Sequence, residues 1–275
     1  MAKVTPAGLA TEGPPALRNE GGSRMRIVLR SVPTVLTFAT LLGIWAGITY
    51  WGWVDPVILP TPWAVYEALL DVVTDPSFLP NLRITMTETL VGGAIGMTIG
   101  LLAGCIVGVS PAGRSILQPL MVTIQAVPAL VLAPLMLIWF GYGIASKVAL
   151  VILATFFPVF VTTLQGIRDT PESYMKLMTS LGATRLRTFL TLRFPYALPS
   201  IFAGVRASIA SAFSAAVVTE FVGALNGLGV QVLIYNQTLQ IPEVFALVLV
   251  MVVIGMLLYY VAELADRRVV FWRRR

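Results

Sequence analysis

Long, almost uninterrupted apolar runs constrain this sequence more than any other feature. The longest runs exceed the roughly 20 residues that a helix needs to cross a bilayer. The chain has 275 residues, of which 57% are hydrophobic and only 12% are charged, a balance outside the range of ordinary soluble domains. We therefore predict an all-α, multi-pass membrane protein.

Six transmembrane helices are predicted from the positions of these runs. Their approximate limits are 32–54, 82–109, 116–140, 146–164, 201–222 and 244–264. A cleavable signal peptide is the alternative for the first run, but that run is too long for the apolar region of such a peptide.

The remaining segments are assigned from composition. Residues 1–26 lack periodicity and are expected to form a disordered cytoplasmic tail ahead of a transmembrane domain, 27–275. A short amphipathic helix is expected at 63–73, along the membrane surface. The apolar residues within 223–243 predict a short helix or a re-entrant piece between the last two spans.

The basic residues indicate the orientation of the chain. With six spans and both termini in the cytoplasm, 16 of the 19 Lys and Arg residues lie on the cytoplasmic side. Arg83 and Lys147 lie on the outer side, and Arg206 lies within a span. This asymmetry is typical of cytoplasmic loops. Topology thus explains the positive net charge, and no nucleic-acid partner is expected.

A regular series of glycines marks the second predicted span. Four-residue spacing places these residues on one helix face, where the backbone of a neighbouring helix approaches closely. We interpret this face as a packing surface, with a binding site as the less favoured alternative. The series is Gly92, Gly96, Gly100, Gly104 and Gly108.

The segment 166–199 is the longest polar interruption, and it predicts two short helices. Thr170 is a candidate N-cap for the first helix, and Gly182 suits the position just beyond its end. Thr184 is a candidate cap for the second helix, which should stop before Pro195.

The first of these two helices carries an apolar face on a cytoplasmic loop. Tyr174, Leu177, Met178 and Leu181 recur at helical spacing. A solvated loop between membrane helices is one interpretation. A docking element for a partner protein is the other.

The sequence lacks the residue patterns of an enzyme. It contains no histidine and a single cysteine, so the commonest proton-relay residue is absent and no cysteine metal site is expected. The glycine-rich phosphate loop of ATPases is also absent. We expect no catalytic residue, no cofactor and no metal.

A few polar residues fall inside predicted spans. Ionisable residues there are functional candidates because their burial is costly, and Glu88, Arg206 and Glu220 qualify. The alternative for the two carboxylates is a water-exposed position at the outer interface. The candidates for lining a transport pathway are Gln125, Ser211 and Glu220.

Five stretches carry a resemblance to a known family. The stretch MKLMTSLGATRLRTFLTLRFPYALPSIFAGVR resembles the cytoplasmic loop of permease subunits of binding-protein-dependent ABC importers, with Gly182 as the motif glycine. Four others are similar to the branch for sulfonate, taurine, nitrate and thiamine-pyrimidine precursors: LPTPWAVYEAL, APLMLIWFGYGIASKVAL, FFPVFVTTLQGIRDTP and VTEFVGALNGLGV. The resemblance covers about 55–275.

The resemblance implies a type I ABC importer permease fold and a set of partners. Two permease subunits, expected to be identical, would pair in the inner membrane of a bacterium. Two ATPase subunits would bind beneath them, and a periplasmic or lipid-anchored binding protein would deliver the solute. The residues implied in ATPase coupling are Tyr174, Lys176, Leu177, Met178, Leu181 and Gly182.

One position departs from the family pattern, and the substrate stays open. Lys176 stands where the motif has a glutamate, so a salt bridge normally made there is in doubt. A small polar organic solute of the pyrimidine, thiamine-precursor or riboflavin type is favoured, with sulfonate, taurine and nitrate as rivals. An ATP-independent secondary transporter is the alternative function. An intramembrane enzyme and a purely structural subunit are less favoured.

Overall fold

A computed structural model of the chain describes residues 21–110, 123 and 127–269. Within these ranges the chain forms helices joined by turns. It divides into two compact units, Met1–Asp55 and Pro56–Arg275. The all-helical prediction is confirmed for the described residues.

The first unit contains one long helix, α1 (Gly21–Tyr50). It begins inside the region predicted as a tail, of which residues 1–20 lie outside the described ranges. The helix ends near Gly52, whose φ of 66° is a left-handed conformation that suits glycine. Just beyond its end, Trp51 and Trp53 stack with ring centroids 5.8 Å apart.

The second unit holds the other helices. In chain order they are α2 (Pro62–Thr74), α3 (Phe78–Val109), α4 (Ala129–Phe140), α5 (Ile144–Arg168), α6 (Glu172–Ser180), α7 (Arg185–Thr188), α8 (Phe194–Gly223), α9 (Leu228–Gln237) and α10 (Ile241–Val269). A single π-helical turn, Phe189–Arg193, joins α7 to α8.

Helix α2 confirms the short helix predicted at 63–73. Thr61 caps it, because its side chain accepts a hydrogen bond from the Ala64 N–H group at 3.2 Å. Val65, Ala68 and Val72 are buried and face the rest of the unit, including α10. This spacing gives α2 one packed face and one exposed face.

Close packing of α3 on α5 and of α5 on α8 forms the centre of the second unit. The five glycines of the predicted packing face lie against α5. A Cβ atom on Gly96 would collide with Thr155 and with the Ile152 carbonyl oxygen, and one on Gly104 would stand 2.7 Å from Thr163. The two backbones are therefore closer than any larger side chain would permit.

Four helices in the described part of the chain are long and apolar enough to cross a membrane. They are Phe78–Val109, Ile144–Arg168, Arg185–Gly223 and Ile241–Val269. Two shorter apolar helical segments, Leu36–Tyr50 and Val131–Phe140, overlap the first and third predicted spans. The chain is thus a multi-pass helical membrane protein.

The third predicted span, 116–140, is described only in part. Helix α4 starts at Ala129, and Pro128 occupies its N-cap position with φ −61° and ψ 132°. Residues 111–122 and 124–126 lie outside the described ranges. The φ of Pro128 is the value that the proline ring imposes, and a residue just ahead of a helix does not need the N–H group that proline lacks.

The prediction that the second helix of the 166–199 segment stops before Pro195 is wrong. Thr184 does cap α7, by accepting a hydrogen bond from the Arg187 N–H group at 3.3 Å. The helical path then continues through the π turn into α8, which contains Pro195 and Pro199. Pro195 lies in the first turn of α8, where the wider π turn removes the need for its missing N–H group.

The close contact between α3 and α5 yields a test of stability. Gly96→Ala should lower the free energy of unfolding by about 1–3 kcal/mol, because the added methyl group overpacks the contact. The measurement is the thermal unfolding midpoint of the purified chain in detergent. Gly43→Ala is the matched control: a Cβ at Gly43 meets nothing within 4 Å, and alanine favours helix by up to about 1 kcal/mol. Equal midpoints for the two variants would contradict the packing role.

Candidate functional site

The helix α6, called the loop helix below, is a self-contained exposed element. It begins after Pro171, which occupies the N-cap position. The prediction that Thr170 caps this helix is wrong, because the Thr170 hydroxyl donates instead to the Ile167 carbonyl of the preceding helix at 3.1 Å. At the other end the N–H groups of Gly182 and Ala183 donate to the carbonyls of Thr179 and Met178, both at 3.0 Å.

This pair of hydrogen bonds is the Schellman arrangement, and it confirms the predicted glycine stop. Gly182 has a φ of 67°, which other residues adopt only with strain. The loop helix therefore ends at a fixed place, and the chain turns sharply into α7.

The apolar side chains of the loop helix are exposed to an unusual degree. Tyr174 is 50% exposed, Leu177 is 55% exposed and Leu181, just after the helix, is 71% exposed. Met178 is half-buried, whereas Lys176 and Gly182 are exposed. No residue of this helix is buried. Its sequence makes an apolar face that the described part of the chain leaves uncovered.

The loop helix is nevertheless held to the body of the unit. The Arg193 Nε–H group donates to the Met175 sulfur at 3.3 Å, which links the helix to the π turn. A groove of about 740 Å³ runs between the helix, the end of α3 and α7. The exposed apolar face of the loop helix therefore belongs to a helix that is held in place by the π turn.

A cavity of about 470 Å³ lies between α4, α5 and α8. Its wall is mainly apolar, with two serine hydroxyls on α8. The Ser211 hydroxyl donates to the Ala207 carbonyl at 3.1 Å, and Ser214 is exposed. Among the described residues that line this cavity, none is charged. The described residues that line it are Val127, Pro128, Leu132, Leu150, Leu153, Ala154, Phe157, Pro158, Ala210, Ser211, Ser214, Ala215 and Val218.

The three residues predicted to line a pathway have different positions. Ser211 lies in the cavity wall. Gln125 is outside the described residues. Glu220 does not line the cavity: it is only 1% exposed and faces the N-terminal end of α9, because it lies on a different side of α8.

Glu220 belongs to a cap that two other helices build for α9. The N–H groups at the start of a helix have no partners within it. Here the Gly227 N–H group donates to Asn81 at 2.9 Å, and the Leu228 N–H group donates to the Thr85 hydroxyl at 2.9 Å. The Gly229 N–H group donates to the Glu220 carboxylate at 2.6 Å.

Further hydrogen bonds extend this cap. The Thr85 hydroxyl donates to the second oxygen of Glu220 at 2.6 Å. On α9 the Gln231 amide group donates to Ser77 at 3.1 Å and to the Tyr235 hydroxyl at 3.0 Å. Partial burial raises the pKa of Tyr235 above its ordinary value.

A buried ion pair lies beside the cap. The Lys147 ammonium group is 2.7 Å from Glu88 Oε1, and it also donates to the Asn226 carbonyl at 3.2 Å. The side chain of Glu88 is fully buried and that of Lys147 is 8% exposed. The water-exposed interpretation of Glu88 and Glu220 is therefore wrong for this subunit. The third candidate, Arg206, forms an ion pair with Asp266 of α10 at 2.8 Å.

A family profile matches more than half of the chain. The profile described as "Binding-protein-dependent transport system inner membrane component" matches residues 96–271. The chain belongs to this family. The predicted resemblance is confirmed, and the protein is an ABC importer permease.

Three relatives of this permease are similar over most of their length. A probable ABC transporter permease protein of Haemophilus influenzae is 33% identical over 84% of this chain and 94% of its own. The formylaminopyrimidine transport permease protein ThiX of Halalkalibacterium halodurans is 31% identical, over 80% and 88%. The taurine transport system permease protein TauC of Escherichia coli is 32% identical, over 86% and 88%.

A solved structure supports the fold. A chain of the MetNI methionine ABC transporter, in an inward-facing conformation, has a TM-score of 0.60 with 17% identity. The match covers 70% of the permease and 95% of that chain. At this identity the likeness shows that the fold is shared.

Sequence reasoning missed the ion-pair partner of Glu88 and the helix cap. Lys147 was counted as an outer loop charge because it falls near the start of a predicted span. Thr85 and Asn81 gave no signal, since single polar residues near a helix end are common. The available clue was spacing: Glu88 lies four residues before Gly92, so it continues the glycine face toward α5.

The cap predicts a specific cost for losing one hydroxyl. Thr85→Ala should destabilise the permease by about 1–3 kcal/mol or more, because both Leu228 N–H and Glu220 would lose a buried partner. The thermal midpoint in detergent measures this. Thr98→Ala is the matched control, as the Thr98 hydroxyl is exposed and bonds only to its own helix, at Ala94. Thr85→Ser should restore the midpoint, and failure of that rescue would contradict the hydrogen-bonding role.

Proposed function

We propose that the permease crosses the inner membrane of a bacterium six times, with both termini in the cytoplasm. The family description and the four long apolar helices support this, together with the two shorter apolar segments. The distribution of Lys and Arg favours the same orientation. In this topology the loop helix lies in the cytoplasm.

ATP hydrolysis on partner subunits would drive the transport. The observation that carries this proposal is the uncovered apolar face of the loop helix, on a chain that has no phosphate-binding loop of its own. An amphipathic helix that presents regularly spaced apolar side chains suits a groove on another protein. The partner proposed here is an ATPase subunit.

The complete importer would contain two such permeases, expected to be identical, two ATPase subunits and a periplasmic or lipid-anchored binding protein. ATP binding would draw the ATPase subunits together and move the two loop helices with them. The pathway would then open outward, and hydrolysis would return it to the inward-facing state. The partners act by binding one state better than the other.

A small, uncharged polar solute fits the cavity better than an anion does. An ion transferred from water into apolar surroundings needs an opposite charge or a ring of dipoles to offset the loss of hydration. The described lining offers two serine hydroxyls and no cation. Of the two named relatives with a stated solute, the formylaminopyrimidine permease is therefore the better guide, and an uncharged solute of the riboflavin type is proposed beside it. Sulfonate, taurine and nitrate are the rivals.

An ATP-independent secondary transporter is the alternative function. It would leave the loop helix without a purpose, and it would need ion ligands near the solute site. Uptake that proceeds in vesicles without ATP or an ATPase subunit would favour this alternative.

The proposed ATPase contact predicts that charge on the apolar face breaks the complex. Leu177→Asp and Leu181→Asp should each weaken binding of the cognate ATPase subunit at least about tenfold, since burying an unpaired carboxylate costs more than 1.4 kcal/mol. Co-purification and ATP-driven uptake in proteoliposomes are the measurements. Ser180→Asp places the same charge on the same helix away from the apolar face and should retain binding. Full binding by the two leucine variants would rule out this face as the contact.

The proposed solute class predicts a pattern of uptake. Reconstituted with its ATPase and binding protein, the permease should import an uncharged pyrimidine or flavin and leave taurine, sulfonate and nitrate outside. Ser214→Ala should reduce kcat/KM for that solute by roughly fivefold, the value of one hydrogen bond of about 1 kcal/mol. Ser180→Ala, outside the cavity, should not. Uptake restricted to taurine, sulfonate or nitrate would overturn the solute class and leave the importer function intact.

A further inference from the structure

The buried cluster beside the α9 cap contains two carboxyl groups and one ammonium group. As whole residues, Glu88 is 0% exposed, Glu220 is 1% exposed and Lys147 is 7% exposed. They come from α3, α8 and α5 respectively. With both carboxyls ionised, the cluster would carry a net charge of −1 away from water, which is costly.

The hydrogen bonds of the cluster are unevenly shared. Both oxygens of Glu220 accept one, from the Thr85 hydroxyl and from the Gly229 N–H group. Glu88 Oε1 accepts one from Lys147. Glu88 Oε2 is buried, and no donor in the described part of the chain reaches it. A buried carboxylate oxygen without a donor is unusual and calls for an explanation.

The other carboxyl group of the buried cluster lies near Glu88. Glu88 and Glu220 are within side-chain hydrogen-bonding reach of each other. Two ionised carboxylates have no proton to share and repel, whereas an acid and a carboxylate form a strong hydrogen bond. A single proton between them therefore removes the repulsion and gives the unpaired oxygen a bond.

We propose that Glu88 and Glu220 form a buried proton-binding site. The proton is bound to Glu88 Oε2, which donates a hydrogen bond to the Glu220 carboxylate. The cluster then consists of a Lys147 ammonium ion, a Glu220 carboxylate and a neutral Glu88 acid. The positive and negative charges balance.

The surroundings decide which carboxyl group carries the proton. Glu220 is the anion because it already accepts two hydrogen bonds, one of them from the positive N-terminal end of α9. Glu88 has a single donor, Lys147. Among the described residues, the charged groups that act on Glu88 are Lys147 of α5 and Glu220 of α8, and α9 contributes backbone groups. A metal cation in place of the proton would meet the ammonium group of Lys147, 2.7 Å from Glu88 Oε1.

The neutral cluster fastens three helices to the start of a fourth. Lys147 holds the Asn226 carbonyl just ahead of α9, and Glu220 holds the first turn of α9. Gly227 and Gly229 allow this approach, because a Cβ atom on either would collide with or crowd the Glu220 carboxylate. Loss of the proton would charge a site that has no further donor.

The test uses infrared spectroscopy of the full-length permease in lipid nanodiscs near neutral pH. A buried protonated carboxylic acid has a carbonyl stretching band distinct from those of carboxylates and amides. We expect this band in the wild type and its loss in Glu88→Gln. It should also be lost in Glu220→Gln, because Glu88 is then the one carboxyl group of the cluster beside the Lys147 ammonium group and ionises. Absence of the band from the wild type, or its loss from Glu220→Gln alone, would overturn the assignment.

Thermal stability gives a second readout on the same proteins. Glutamine resembles the protonated acid, so Glu88→Gln should shift the unfolding midpoint by no more than about 2 °C. Glu220→Gln replaces one of two carboxylate oxygens that accept buried hydrogen bonds, from Thr85 and Gly229, by an amide nitrogen that cannot accept, and should lower the midpoint by about 6 °C or more. Equal losses in the two variants would mean that both carboxyls are ionised. If Glu220→Gln does not fold, the spectra of the wild type and Glu88→Gln still decide.

Discussion

The close contact between α3 and α5 determines where the other features of the second unit lie. The register is regular: the nearest side chains to four of the glycines belong to residues 59 positions later. These pairs are Gly92 with Val151, Gly96 with Thr155, Gly104 with Thr163 and Gly108 with Ile167. Lys147 and Glu88 are separated by the same 59 positions. The ion pair therefore lies on the same contact line as the glycines, one helical turn earlier. Small residues bring the helices together, and the pair occupies the end where they admit larger side chains.

Much of the fold could be predicted because it depends on local patterns. Apolar length predicted the long helices, the glycine spacing predicted a close contact, and Gly182 and Thr184 predicted a helix end and a helix start. Each of these signals is contained within a few turns of one helix. The predicted stop before Pro195 was wrong because a π turn absorbs the proline, and the choice of that turn depends on packing with distant residues.

The candidate site was harder to predict because its main contacts join distant residues. Glu88 and Glu220 were recognised as costly to bury, but their partner Lys147 is remote in sequence and looked like a loop charge. Pairing it with Glu88 requires the register of α3 on α5, which the glycine series implies only if the partner helix is known. The cap of α9 has the same origin, since its acceptors come from α3 and α8. The exposed loop helix, by contrast, was predicted from sequence because its caps and apolar face are local.

Helix α8 separates charge from the cavity. Ser211, Ser214 and Val218 lie at helical spacing on the face that lines the cavity, whereas Glu220 lies on a face packed against α3 and α9. The ionised groups of the cluster are hydrogen-bonded to one another and to backbone groups at the start of α9. In the proposed pathway, a solute in the cavity would therefore meet hydroxyl groups and apolar side chains among the described residues, away from the charges that stabilise the helix contacts. This separation is the physical reason for proposing an uncharged solute.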